Sequence, residues 1–468
     1  MSTSINRSLE SDGAVNRVEG LIDDPHTHNF RKSLGVWHVV GLAMADVSPT
    51  MAVLLLTAGV VSISGTFTIG ACLILSVIVV LIALCLGELS AMSPSAGGMY
   101  SIVKDVLPAP VAWITLLNYL LQGIVIPGSL TLGIAIFLKD LFPGIPLGNG
   151  IIALIALFAA AAIALTKVEV GAWTTAVMVL VEVSVLGLIT VAAILNWSQD
   201  LTAVIVHPVH LVDGNLLPVT FAVAITALAP AFNIINGYDA ALGFSEEMHD
   251  GPRQIGKAVL IAAILASLLI TIPFAAAVVA APDLKTFLAS PTPVVYSVEQ
   301  ALGPIAKAVV DIGVIIALFN GALSLLMYFA RGVFATGRDS LWPRAVSQRL
   351  GSLNSKGVPG WGVLVLVVPA IPLVFVSQLD WLIIFSGTMI TAVYFCVGLA
   401  ALWSRIKDKT SPRPFRMPLW PIPALVVTLF TGFALMQQET QYLIGEVVVI
   451  GAGIVLFALS KLWSAPAR

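Results

Sequence analysis

Apolar residues run through this chain in long blocks separated by short polar stretches, without the strict alternation of strands. The blocks fall near 35–62, 64–90, 109–140, 150–167, 169–195, 217–247, 256–281, 303–334, 360–379, 380–403, 419–437 and 442–464. These are about twelve segments, each near the roughly 20 residues a helix needs to cross a bilayer. Only helices and closed barrels satisfy every backbone group in hydrocarbon, and barrel strands would be shorter and alternating. The pattern therefore predicts an all-α polytopic membrane protein. It divides into a polar tail over 1–33, a core of ten helices over 34–403 and two further helices with the C-terminus over 404–468. The first thirty residues lack an apolar centre and a cleavage pattern and are expected to be a soluble tail rather than a signal peptide.

Two blocks are interrupted in comparable places. The first holds "ADVSPT" (45–50), and the sixth holds "FNIINGYDA" (232–240). Five segments separate them, so each opens one half of a five-plus-five arrangement, 34–195 and 217–403. Matching interruptions in two halves point to an inverted repeat whose binding site lies at the breaks.

Composition and charge sharpen this picture. The chain is 58% hydrophobic and 10% charged, against roughly 25% charged in soluble domains. With an inner N-terminus, only Lys139, Lys285 and Lys307 of the 23 Lys and Arg residues fall on the outer side. That asymmetry predicts cytoplasmic termini in a cell membrane. Cys72, Cys85 and Cys396 lie far apart inside apolar blocks, as small packing residues do. His207 and His210 lie on an outer loop without ligand partners. Neither a basic tract for nucleic acid nor a metal, cofactor or nucleophile motif is present.

The candidate chemistry gathers at the breaks. Asp46 lies twelve residues after Leu34, which is roughly 18 Å into a hydrocarbon layer of about 30 Å. Pro49 has no N–H and its ring clashes with the Ala45 carbonyl, so the helix must kink or open there. Amides after Ser48, around Thr50, Met51 and Ala52, would then begin a half-helix whose N-terminus favours anions. Asp46 just before it favours an ammonium group, another cation or a proton. The alternative is a proline kink in which neighbouring hydroxyls satisfy Asp46. In the second break Gly237 permits unwound backbone angles, Asn236 supplies donors and acceptors, and Tyr238 could cap a ligand. Asp239 is either a second proton carrier or a structural hydrogen-bonding group. Glu182 stands alone in "VMVLVEVSVLG" (177–187), on the same helical face as Thr175. Low dielectric disfavours a carboxylate's charged form, which makes Glu182 a candidate proton carrier or else a neutral structural glutamate. Glu88, Glu246, Glu247, Arg331, Arg338 and Asp339 sit at inner segment ends, where they would pair into a gate or remain solvated.

Several motifs together resemble the amino acid–polyamine–organocation permeases. "GELSAMSPSAGGMY" (Gly87 to Tyr100) is similar to the end of their second helix. "GYDAALGFSEEMHDGPRQIGKAV" (Gly237 to Val259) resembles their sixth helix and the loop after it. "ARGVFATGRDSLWPRAV" (Ala330 to Val346) resembles their eighth-helix exit, and "RPFRMPLWPIP" (Arg413 to Pro423) the approach to helix eleven. The resemblance covers nearly the whole chain. It implies the five-plus-five fold with broken helices 1 and 6 plus two extra helices. It also implies a secondary transporter of amino acids or related amines, coupled to protons or sodium or working by exchange, with a transport-inactive nutrient sensor as a remote alternative. Four departures bear on the site. Many members carry a Gly-Ser-Gly type segment for the substrate carboxylate where this chain has Asp46-Val47-Ser48-Pro49, which favours an amine site. Ile235 and Asn236 stand where many have an aromatic gate. Glu182 stands where some proton-coupled members have lysine. The eighth helix offers Asn320 and Ser324 without the paired hydroxyls often used for sodium, which favours protons.

Overall fold

The computed structural model describes residues 32–376 and 379–463. The tail expected over 1–33 lies outside the described residues except for Lys32 and Ser33, as does the end of the chain from residue 464. The main helices are α1 (Val36–Val47), α2 (Thr68–Met92), α3 (Ala109–Leu141), α4 (Asn149–Ala164), α5 (Val168–Leu195) and α6 (Phe221–Ala231). They continue with α7 (Gly251–Ala280), α8 (Pro304–Arg338), α9 (Gly360–Val376), α10 (Leu379–Lys407), α11 (Ile422–Met436) and α12 (Thr440–Trp463). Among the described residues seven helical stretches are long and apolar enough to cross a membrane, and three apolar helices are shorter. The first of the seven runs 57 residues, Val36–Met92, through a break and a bend.

The bundle is held by close approach along small residues and by a few buried polar ties. α2 lies along α7, where a Cβ at Gly87 would come within 3.1 Å of the Gly256 Cα. Lipid offers no hydrophobic drive between helices, so such backbone proximity is how they gain packing energy. α3 lies along α8 and α10. α12 joins α3 through Asn118, whose amide donates to Glu446 Oε1 at 2.9 Å. At one end of the bundle Lys307, in the first turn of α8, bridges Asp311 at 2.7 Å and Asp140 at 3.2 Å. The loop before α6 folds into a hairpin of β1 (Val209–Val212) and β2 (Asn215–Pro218). Its two-residue turn, Asp213-Gly214, has φ of 49° and 76°, the backbone an Asp-Gly pair favours.

Both interruptions are present, and they differ in form. α1 stops at Ser48, which takes left-handed angles (φ 43°, ψ 72°). Pro49 has no N–H to offer the Ala45 carbonyl, which forces the ladder open for one step. The chain regains helix at once: Ala52 N–H donates to Ser48 O at 3.0 Å, and Ala52–Leu56 widens into a π-turn. The opening is thus a single residue wide. The second interruption is longer. After α6 the chain turns through 232–235, passes Gly237 at φ 103°, and continues as a ten-residue 3₁₀ helix, Tyr238–Glu247. Such helices rarely exceed 3–4 residues, and long ones mark strain or a hinge.

Candidate functional site

The two breaks meet. Gly237 presses on the first break so closely that a Cβ there would lie 2.7 Å from Val47 N and 2.8 Å from the Asp46 carbonyl carbon. Only glycine fits both this approach and the positive φ. Beside the contact is a cavity of about 40 Å³, lined by Asp46, Val47 and Met51 from the first break and by Asn236 and Gly237 from the second. Leu56 also lines it, as do Ile126, Ser129 and Leu130 of α3, Leu325 of α8, Ser386 of α10 and Asn233. At roughly 10–15 Å³ per water on this measure, it holds about three waters. Anything as large as an amino acid requires the walls to separate.

Asp46 is 6% exposed, and its Oδ1 has no hydrogen-bond partner. Ser324 Oγ, on α8, donates to the Leu42 carbonyl of α1 at 3.2 Å, and a second buried carboxyl, Asp239, lies in the neighbouring break. Asp239 is held in a tyrosine cage: Tyr394 donates to Oδ1 and Tyr328 to Oδ2, each at 3.1 Å. The Tyr394 hydroxyl also lies 2.9 Å from Asn236 Oδ1. Its single proton serves Asp239 or Asn236, so the cage couples the second break to α10. Two carboxylates in one low-dielectric site cost least when a cation or proton accompanies them.

Glu182 lies on the other side of the first break, fully buried in α5. Its Oε2 accepts from Ser48 Oγ at 2.9 Å and from the Thr50 amide at 3.4 Å, and its Oε1 accepts from Asn320 Nδ2 at 2.8 Å. Thr50 Oγ1 donates to the Glu182 carbonyl at 2.9 Å, fastening the restart of the first helix to the α5 backbone. Two donors at the break, Ser48 Oγ and the Thr50 amide, therefore reach a carboxylate of the chain itself, Ser48 Oγ sharing its one proton with the Ala317 carbonyl at 3.0 Å.

A family model described as amino acid permease matches residues 34–459. The chain belongs to the amino acid permease family. The branched-chain amino acid permease BcaP of Lactococcus lactis subsp. cremoris (strain MG1363) is 26% identical over 219 residues, 44% of either chain. BcaP of Bacillus subtilis (strain 168) is 22% identical over 246 residues, 52% of this chain and 51% of that relative. The chain thus spans about half the length of the curated relatives it matches. The family, with seven helical stretches long and apolar enough to cross a membrane among the described residues, makes this a multi-pass membrane protein.

In the permease, the residues singled out from sequence separate into three groups. Asp46, Met51, Asn236 and Gly237 line the cavity. Ser48 and Thr50 turn away from it toward Glu182, because the left-handed step at Ser48 aims the first donors of the new helix at α5. Tyr238 is fully buried, stacks on Tyr394 at 6.2 Å between ring centres and does not line the cavity. Thr175 donates to Ala172 O of its own helix rather than to Glu182. The third group forms ion pairs at the ends of helices. Arg331 Nε donates to Glu247 Oε1 at 2.7 Å, and its guanidinium sits 4.4 Å from the Phe244 ring centre. Arg338 grips Glu246 through both terminal nitrogens at 2.8 and 2.6 Å, and Ala96 N–H adds a bond at 2.8 Å. Asp339 pairs with Lys104 at 2.6 Å. Glu88 binds Arg413 at 2.7 Å and Arg405 through both its oxygens, and Met417 N–H donates to it at 2.7 Å. The sequence reading did not single out Tyr328 and Tyr394. Their signal was a hydroxyl-bearing aromatic midway along an apolar block, which in a membrane must find a partner.

Proposed function

We propose that this permease is a secondary transporter carrying amino acids or related amine-bearing metabolites across the cell membrane by alternating access, coupled to protons. The observation that carries the reading is the meeting of two broken helices at Asp46 and Gly237 beside a small cavity with a buried carboxylate. Half-helix ends at mid-membrane are how transporters satisfy a charged ligand without water. In this reading Val36–Met92 crosses twice, the broken stretch from Phe221 to Glu247 crosses once, and the total is twelve. Helix pairing supports a five-plus-five repeat: α2 lies along α7, α3 along α8, and the α5–α8 contact has its counterpart in α10–α3. The names of the two BcaP relatives support an amino-acid or amine ligand. Asp46, Asn236 and Gly237 meet it, and Glu182, with Asp239 second, carries the proton. Arg331–Glu247 and Arg338–Glu246 form the inner gate, closed here.

The test is uptake by proteoliposomes. An inward proton gradient is expected to drive accumulation of a substrate above its external concentration, and a protonophore to abolish it. Accumulation that instead follows a sodium gradient or internal substrate would replace the proton in this scheme. Topology is checked separately. The Lys and Arg asymmetry supports cytoplasmic termini, so a reporter fused after Arg468 should be active only inside; an active periplasmic or extracellular reporter would overturn the span assignment.

A further inference from the structure

An amino acid offers two charges, and a site for it must answer both. At the first break the donors suited to an anion are Ser48 Oγ and the Thr50 amide, joined by Asn320 Nδ2. All three reach Glu182, which is tethered on α5 and completely buried, though Ser48 Oγ divides its one proton between Glu182 and the Ala317 carbonyl. A tethered group reaches its partners without the entropy cost of association that a free ligand meets. A substrate carboxylate seeking these donors would have to displace Glu182 or lie beside it as a like charge. On the cavity side the charged group is Asp46, with Oδ1 buried and unpartnered. The described lining holds no Lys, Arg or His, while Val47, Met51, Leu56, Ile126, Leu130 and Leu325 make its walls apolar. The pocket thus has one ionisable side chain in its described lining, Asp46, among these apolar walls and the neutral polar groups of Ser129, Asn233, Asn236 and Ser386. Its complement is an ammonium on an apolar tail, with net charge +1, rather than a zwitterion.

We propose that Glu182 stands in for the substrate's own carboxylate, so that the pocket takes primary amines lacking an α-carboxylate in preference to the α-amino acids of the same side chain. The inference rests on the reading of this cavity as the substrate site. Asp46 holds the ammonium, and Glu182 keeps the break closed to anions.

The experiment titrates the purified full-length permease with matched pairs, following both calorimetric affinity and the thermal shift that any native-state ligand produces. The pairs are leucine and 3-methylbutylamine, phenylalanine and 2-phenylethylamine, and arginine and agmatine. At least one amine is expected to bind about tenfold or more tightly than its parent amino acid. Asp46→Asn, which keeps the size and removes the charge, is expected to weaken that amine about 30- to 150-fold, the 2–3 kcal/mol of a charge-assisted hydrogen bond. Glu182→Ala is expected to raise the affinity for the amino acid of the pair by opening the donors at the break. If either variant does not fold, the wild-type ranking decides alone. Amino acids that bind wild-type protein as tightly as their amines overturn the inference, and their accumulation in proteoliposomes leaves the transporter reading standing. If neither series binds while amino acids are still accumulated, the cavity is not the substrate site and the inference falls by itself. If nothing is bound or accumulated, both readings fall.

Discussion

Arg331→Met is expected to lower the stability of the permease by about 3–5 kcal/mol, the usual cost of removing one partner of a buried ion pair. Arg331 and Glu247 are each about 2% exposed and meet at 2.7 Å. Their attraction offsets the cost of taking both charges out of water only while both are present. The pair also anchors the start of the first helix: Ser33 and Leu34 N–H both donate to the Glu247 carbonyl at 2.9 Å, and His249 N–H returns a bond to Leu34 O. Losing the guanidinium therefore leaves a buried carboxylate and loosens the junction between the two broken helices. The thermal midpoint in detergent should fall and transport with it. Adding Glu247→Gln to Arg331→Met removes the stranded charge and should recover much of the midpoint without restoring gating. An Arg331→Met protein that melts with the wild type would show that water reaches Glu247 and that this end is not sealed by the pair.

Glu182→Gln should abolish accumulation driven by a proton gradient while leaving counterflow of substrate measurable. Glutamine keeps the size and can still accept from Ser48 and Thr50, so the break stays closed. It cannot take up and release a proton, so net coupled movement stops. The geometry makes this a sharp test, because Glu182 touches the restart of the first helix through Ser48 and Thr50 and α8 through Asn320. A change in its charge alters the bonds that fix α1 and α8 to α5, which is what a coupling residue must do. Paired measurements of gradient-driven uptake and counterflow separate this from simple misfolding, which removes both. Undiminished accumulation by the Gln variant would reduce Glu182 to a structural group and pass the coupling role to Asp239.

What the linear chain determined by itself was whatever depends on near neighbours. Block length and apolarity made helices, since a backbone in hydrocarbon has little alternative. Pro49 fixed an interruption within one residue of where it is found, because the missing N–H and the ring clash are local facts. Gly237 and the polar run around it marked the second, and the isolated carboxylates Asp46, Glu182 and Asp239 stood out because charge in an apolar block is costly. Tertiary structure decided what those groups touch. Ser48 meets Glu182 across 134 residues of sequence, Asn320 across 138, and Tyr394 meets Asp239 across 155. No periodicity encodes such distances. Reading the first break alone gives a helix end open to a substrate's anion; the fold brings α5 against it and fills that end with the chain's own carboxylate. The direction in which Ser48 turns, set by one left-handed residue, separates the group facing Glu182 from the group facing the cavity. Hydrophobicity orders segments one by one, whereas a site is the product of which faces pack together, and only the folded bundle contains that information.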